Sequence, residues 1–176
     1  MRRSSQLAVI VPVFNEQAAV RTVLAGLVRF AAHRDMEIIV VDDGSNDGTP
    51  DLLAGFAGQV ILRRHSSTRG YGAALKTGIL ATQAENVLFF DSDGQHLVED
   101  IPPILDELER HECVFGARTA GVGIPWVRKP AKWLLRRVCN FLAGCKIPDL
   151  NCGLRAGRRL LFMRMLDLLP EGFSFS

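Results

Sequence analysis

Short apolar runs alternate with helix-like stretches along the first 117 residues, and this alternation limits the chain to few folds. Leu7–Val13 is the first apolar run, and apolar residues at helical spacing follow it between 16 and 32. The alternation then repeats, with predicted strands at 37–41, 60–62, 86–90 and Cys113–Phe115 and predicted helices at 70–82 and 99–111. Strands that alternate with helices form a mostly parallel sheet with helices on both faces, so the predicted class is a Rossmann-like α/β fold.

Asp91, Ser92 and Asp93 follow the fourth predicted strand directly. In an α/β sheet, ligands bind outside the carboxyl ends of the strands, so this segment is expected to lie at a binding crevice. Two carboxylates on such a turn can converge on Mg²⁺ or Mn²⁺, and Gln95 offers a further carbonyl oxygen. The alternative is an acidic turn in which Asp93-Gly94 is present for its backbone geometry.

The second predicted strand also ends in acidic residues, Asp42 and Asp43. Carboxylates at this point accept hydrogen bonds from a ribose hydroxyl or a base N–H. The alternative is a strand-ending turn, followed by a helix that Thr49 caps and Pro50 begins. Because both acidic segments end strands of one parallel sheet, they are expected to face the same crevice.

Two glycines, Gly70 and Gly72, open the third predicted helix. Loops that hold phosphate also place glycines at the start of a helix. The segment lacks the GxGxxG spacing and the GxxxxGK[ST] signature, however. Close packing of the helix on the sheet is therefore the favoured interpretation.

Basic residues are concentrated in one part of the chain. Residues 118–164 contain eleven basic and one acidic side chain, whereas residues 1–117 contain ten basic and sixteen acidic ones. A basic segment of this kind favours an anionic partner, which could be phosphate, nucleic acid or a membrane surface. The alternative is a solvated helix face, which the near-absence of acidic residues makes a weaker explanation. Nucleic acid is not expected, because the aromatic residues there alternate with leucines at helical spacing and form no stacking platform. With no signal peptide and no apolar run near the ~20 residues that span a bilayer, we expect a cytoplasmic protein.

Six motifs extend over nearly the whole chain. They are VIVPVFNE at 9–16, VVDDGS at 40–45 with DGT at 47–49, GYGAAL at 70–75, DSDGQH at 91–96, GAR at 116–118 and DLNCGLR at 149–155. In combination they resemble family-two glycosyltransferases of the GT-A fold. The resemblance is greatest to polyprenyl-phosphate glycosyltransferases of the dolichol-phosphate mannose synthase type.

The resemblance implies an inverting, metal-dependent transfer of a sugar from a nucleotide-diphosphate sugar to a polyprenyl phosphate of the dolichyl or undecaprenyl type. It implies that Mg²⁺ or Mn²⁺ is held by Asp91, Asp93 and Gln95, and that Asp93 and Arg118 are catalytic. The implied nucleotide-sugar-binding residues are Pro12, Phe14, Glu16, Val41, Asp43, Asp91, Ser92, Asp93, Arg118 and Arg128.

The resemblance also implies how the chain is organised. Residues 1–176 would form one catalytic domain, in which 1–117 bind the nucleotide sugar and 118–176 face the acceptor and the membrane. Family members continue past this point, so a C-terminally truncated domain is expected. The basic segment 128–146 would lie peripherally on the cytoplasmic face of a membrane and receive the lipid phosphate.

Two other functions stay open. One is a family-two transferase that acts on a saccharide hydroxyl, and the other is a catalytically incomplete fragment that binds nucleotide sugars. The residues do not distinguish GDP from UDP, or one sugar from another.

Overall fold

One six-stranded sheet organises the part of the chain that the structure, a computed structural model, describes, namely residues 5–117 and 152–172. The strands are β1 (Leu7–Val13), β2 (Met36–Asp42), β3 (Ile61–Arg64), β4 (Asn86–Phe89), β5 (Cys113–Phe115) and β6 (Arg155–Arg158). Their order across the sheet is β3-β2-β1-β4-β6-β5. The first four strands pair in parallel, and β6 is antiparallel to both β4 and β5. The predicted mostly parallel α/β sheet is confirmed.

Helices cover both faces of this sheet. Those in the described residues are α1 (Val20–Ala31), α2 (Thr49–Ala54), α3 (Tyr71–Leu80), α4 (Ile101–Leu108) and α5 (Arg159–Met165). Buried residues of α3 and Phe162 of α5 pack in one cluster with Ala8 and Ile10 of β1. Because side chains alternate along a strand, Val9 and Val11 point to the opposite face, where they are also fully buried.

The chain forms two compact units. The first comprises Met1–Phe115 together with Gly153–Ser176, and the second comprises Gly116–Cys152. From the sequence, residues 1–117 were expected to form this part of the protein alone. In the structure, strand β6 and helix α5 also belong to the first unit. The second unit lies almost wholly outside the described residues.

The starts of α1 and α2 differ from the sequence prediction. Helix α1 begins at Val20, later than the predicted start near Glu16, because residues 16–19 form a turn in which the N–H of Ala19 donates to the carbonyl of Glu16 at 3.1 Å. The N–H of Glu16 donates to Oγ1 of Thr49 at 3.0 Å. Thr49 is therefore not the cap of α2. It is the first helical residue, Gly48 precedes it as N-cap and Pro50 is second.

Helix α3 lies unusually close to the sheet. At Gly78 an added Cβ would overlap the side chain of Ile10 on β1. Gly26 on α1 is a helical glycine at which a side chain can be added, because a Cβ there would stand 3.4 Å from Cγ1 of Val98. The approach of α3 to β1 thus depends on the absence of a side chain at 78.

We expect Gly78→Ala to lower the free energy of unfolding by about 1–3 kcal/mol, because the added methyl group overfills a packed core. Gly26→Ala should leave stability unchanged or raise it by up to about 1 kcal/mol, since alanine favours a helix. Urea unfolding of both variants measures the difference. Equal changes in the two would contradict the close approach of α3.

Candidate functional site

The loops that follow β1, β2 and β4 meet at one edge of the sheet. The three strands are neighbours and parallel, with Val13 of β1 opposite Asp42 of β2. The N–H of Phe90 donates to the carbonyl of Ile10, which extends the pairing of β4 with β1. The segments that begin at 14, 43 and 91 therefore leave the sheet side by side, as the sequence predicted.

Hydrogen bonds join the loop after β1 to the loop after β2. The N–H of Asn15 donates to Oγ of Ser45, and Oδ1 of Asn15 accepts from the N–H of Asn46, both at 2.9 Å. Asn15 has a φ of +55°, a left-handed conformation that asparagine tolerates better than most residues. Oε1 of Gln17 accepts from the N–H of Gly48 at 2.9 Å. These bonds fix the two loops as one surface.

The carboxylate of Asp43 is buried and fully engaged by the protein. Its oxygens accept from the backbone N–H groups of Arg69, at 3.0 Å, and Gly70, at 2.8 Å. Nδ1 of buried His65 donates to Oδ1 of Asp43 at 2.6 Å, and its Nε2 lies 2.8 Å from Oγ1 of Thr77. Asp43 thus binds the loop before α3 to the end of β2.

Asp42 stabilises the loop after β2 through partners of its own. Its side chain is buried, and its Oδ1 accepts from the N–H of Ser45 at 2.8 Å. Nε of Arg64 lies 3.2 Å from Oδ2 of Asp42, and the same guanidinium donates to the carbonyl of Ser45 at 3.0 Å. Both acidic residues at the end of β2 therefore have structural partners.

The carboxylate of Asp91 lies between two other segments of the first unit. The hydroxyl of Tyr71, at the start of α3, donates to its Oδ1 at 2.8 Å. On the other side, a Cβ at Gly153 would overlap this carboxylate. Burial raises the pKa of Asp91, the hydrogen bond from Tyr71 opposes that rise, and the negative charge of Asp93 adds to it. Burial likewise raises the pKa of Tyr71, so its hydroxyl stays protonated and can donate.

Asp93 and Gln95 differ from Asp91 in being exposed. Oδ1 of Asp93 accepts from the N–H of Gln95 at 2.9 Å, and Gly94 between them has a φ of +77°. Ser92 points the other way, because its buried hydroxyl donates to the carbonyl of Pro12 at 2.8 Å. The turn after β4 therefore keeps Ser92 against β1 and leaves Asp93 and Gln95 open to solvent.

The predicted nucleoside-binding residues of β1 and β2 are unequally accessible. Phe14 is 44% exposed at the sheet edge, and Glu16 is half-buried. Burial raises the pKa of Glu16, and the charges of Asp93, Asp47 and Asp91 raise it further.

Two other residues of the predicted set are buried. Pro12 is in the sheet, and Val41 lies in the hydrophobic cluster beneath α3. Pro12 and Val41 therefore lie in the interior of the protein, whereas Phe14 and Glu16 reach its surface at the sheet edge.

The glycines at the start of α3 admit protein backbone. The N–H of Gly72 donates to the carbonyl of Gly172, and that of Ala73 donates to the carbonyl of Glu171, both at 3.0 Å. A Cβ at Gly70 or Gly72 would overlap the backbone of residues 170–172. The prediction that these glycines pack on the sheet is therefore wrong, because they pack against the 170–172 segment. The N–H groups of Gly72 and Ala73, which could have bound a phosphate, are occupied by the same segment.

Several predictions lie outside the described residues, namely Arg118, Arg128 and the basic segment 128–146. Within residues 5–117 and 152–172, no group of three or more Asp, Glu, His or Cys side chains is arranged to hold a metal ion. None of the helices in these ranges is both long enough and apolar enough to span a bilayer.

His65 and Tyr71 are site residues whose roles the sequence analysis missed. His65 directly follows β3, so the rule that polar residues at strand ends face the crevice would have found it. Tyr71 is the single tyrosine of the chain, and it lies between the two glycines that drew attention to this loop. No local pattern links it to Asp91, which is 20 residues away.

The described residues form a mostly parallel α/β sheet of the GT-A type, with carboxylates at the ends of β2 and β4. The model of the family described as "Glycosyl transferase family 2" matches residues 8–166. The chain therefore belongs to this family.

Several similar curated proteins have names that combine a polyprenyl phosphate with a sugar. The chain is 32% identical over 158 residues to a dolichyl-phosphate hexose transferase of Haloferax volcanii, a match that covers 88% of this chain and 67% of that protein. It is 32% identical to a dodecaprenyl-phosphate galacturonate synthase of Rhizobium johnstonii, over 98% of this chain and 53% of that protein. An undecaprenyl-phosphate 4-deoxy-4-formamido-L-arabinose transferase of Aeromonas hydrophila is 28% identical, over 91% and 51%. The chain spans about half the length of the last two proteins.

Solved structures share the fold. Glucosyl-3-phosphoglycerate synthase from Mycobacterium tuberculosis, in complex with Mn²⁺, UDP-glucose and phosphoglyceric acid, has a TM-score of 0.75 and 24% identity, over 97% of this chain and 62% of that one. The same enzyme with Mn²⁺, UDP and glucosyl-3-phosphoglycerate has a TM-score of 0.76 and 21% identity. At this level of identity the likeness establishes the fold alone.

We expect Asp43→Asn to lower the free energy of unfolding by about 1–3 kcal/mol, because an amide N–H₂ would replace one buried acceptor oxygen that faces N–H donors. Asp106→Asn is the matched control, since Asp106 is exposed on α4. Urea unfolding compares the two variants. An Asp43→Asn protein as stable as the control would show that the buried network does not hold the loop.

Proposed function

We propose that this chain binds a nucleotide-diphosphate sugar and transfers its sugar, with inversion, to a polyprenyl phosphate. The observation that carries the proposal is the position of Asp91 and Asp93 after β4, at the sheet edge where the exposed Phe14 follows the neighbouring strand β1. Membership of glycosyl transferase family 2 and the names of the similar proteins support the choice of donor and acceptor.

The nucleoside would bind over the loops after β1 and β2. The exposed ring of Phe14 offers a flat apolar surface against which a base can stack. Glu16 offers carboxylate oxygens that accept from ribose hydroxyls. Asp43 contributes by holding the 65–70 loop in place, because its own oxygens already accept three hydrogen bonds from that loop.

Asp91, Asp93 and Gln95 would hold Mg²⁺ or Mn²⁺. Two carboxylates and an amide oxygen form the all-oxygen donor set that these cations prefer. Magnesium is commonly bound by one or two carboxylates together with substrate phosphates, so three acidic or histidine ligands from the protein are not required. When bound, the ion supplies positive charge that stabilises the nucleoside diphosphate as it leaves.

The acceptor, a phosphate monoester, already carries the oxygen that attacks the sugar. No side chain is then needed to remove a proton from it. Arg118, proposed as catalytic, and Arg128 would add positive charge at the diphosphate or the acceptor phosphate. The basic segment 128–146 would rest on the cytoplasmic face of a membrane and present the lipid phosphate.

The direct test is to incubate the chain with radiolabelled UDP- and GDP-sugars, undecaprenyl or dolichyl phosphate and Mn²⁺, and to extract the lipid. Label in the lipid fraction is expected from one class of nucleotide. Transfer to saccharide hydroxyls without transfer to lipid phosphate would contradict the proposed acceptor. Nucleotide binding without any transfer would favour a binding fragment.

Asp93→Ala should lower the rate of transfer by about 100-fold or more, because it removes a carboxylate that would hold the divalent cation beside the leaving diphosphate. The fold should be retained, since Asp93 is exposed. Asp106→Ala serves as the control for loss of an exposed aspartate and should transfer at the rate of the unmodified chain. An Asp93→Ala variant that is folded and fully active would show that the metal assignment is wrong.

A further inference from the structure

Asp91 is confined by two segments that are distant from it in sequence. The hydroxyl of Tyr71 donates to Oδ1 of Asp91 at 2.8 Å. The same carboxylate occupies the space that a Cβ at Gly153 would fill, so any side chain at 153 would displace it. Asp93, by contrast, has a bond within its own turn and is exposed. Of the two carboxylates in the turn, Asp91 is the one whose orientation other segments determine.

Tyr71 is itself held in place. It is the first residue of α3, and the helix starts where Gly70 donates to Asp43 at 2.8 Å. The next two N–H groups, of Gly72 and Ala73, donate to carbonyls of the 170–172 segment. The phenol therefore reaches Asp91 from a helix terminus that is bonded on both sides, which limits the positions its hydroxyl can take.

We infer that Tyr71 is a positioning residue for the proposed metal and donor site, and that it acts with Gly153 to hold the Asp91 carboxylate in one orientation. The inference rests on the proposed function, since it assumes that Asp91 serves a metal–nucleotide complex. The hydroxyl of Tyr71 binds a carboxylate oxygen and does not touch the donor. Partners that orient a metal ligand in this way commonly change metal affinity by 10- to 100-fold when they are removed.

The test is calorimetric titration of UDP and of GDP into the chain, with and without Mn²⁺, for the unmodified protein and for Tyr71→Phe. The measured quantity is the ratio of nucleotide affinity with Mn²⁺ to affinity without it. We expect Tyr71→Phe to lower this ratio by about tenfold while the metal-free affinity stays unchanged, with a small fall in melting temperature from the lost hydrogen bond. A general structural role for Tyr71 would lower the metal-free affinity by the same factor as the affinity with Mn²⁺, and the ratio would then not change.

Gly153→Ala provides the second variant, because its methyl group would push the Asp91 carboxylate out of place. Gly26→Ala is the matched control, since the Cβ there meets only Val98, at 3.4 Å. Gly153→Ala should lower the metal-dependent ratio and Gly26→Ala should not. The double variant of Tyr71→Phe and Gly153→Ala should lose less than the product of the two single losses, because both act on one carboxylate.

The outcomes separate this inference from the proposed function. An unmodified chain that binds neither nucleotide more tightly with Mn²⁺ would overturn the metal site itself. An unmodified chain with a metal-dependent gain that Tyr71→Phe retains in full would overturn the role of Tyr71 alone. Losses that multiply independently in the double variant would overturn the shared action on Asp91.

Discussion

The buried carboxylate of Asp43 is the interaction on which the arrangement of the sheet edge depends. It accepts from His65 and from the N–H groups of Arg69 and Gly70, so it joins the end of β2 to the start of α3. The next residue, Tyr71, then bonds to Asp91 after β4. The adjacent residues Gly70 and Tyr71 thus connect two strand ends through hydrogen bonds. One is the end of β2, proposed for the nucleoside, and the other is the end of β4, proposed for the metal. A buried carboxylate without hydrogen-bond donors would lower the free energy of unfolding, and these three donors remove that cost.

Close backbone approaches complete the arrangement. Gly78 lets α3 lie against β1, and Gly72 lets the 170–172 segment reach the start of the helix. Gly153 lets the chain before β6 reach Asp91. In each case a methyl group would overlap a neighbour that has its own partners. These three glycines therefore serve packing, and the site depends on segments from both ends of the first unit.

The strand–helix alternation predicted most of the fold because it is a local signal. The parallel sheet and the meeting of Asp91 with the loops after β1 and β2 followed from it. Strand β6 escaped prediction because Arg155–Arg158 has no apolar alternation, and its place depends on pairing with β4 and β5. Thr49 resembled a helix cap, but its hydroxyl accepts from Glu16, 33 residues away. The support of Asp91 by Tyr71 was equally hidden, because it requires the folded sheet to bring two strand ends together.

The central claim is that Asp91 and Asp93 hold a divalent cation that binds the donor's diphosphate. The most direct measurement is a crystal structure of the chain grown with Mn²⁺ and the nucleotide that it binds, with diffraction recorded at the manganese absorption edge. One anomalous peak is expected within bonding distance of both carboxylates and of the diphosphate. A nucleotide bound at this edge with no peak beside Asp91 and Asp93, or a peak at other residues, would contradict it.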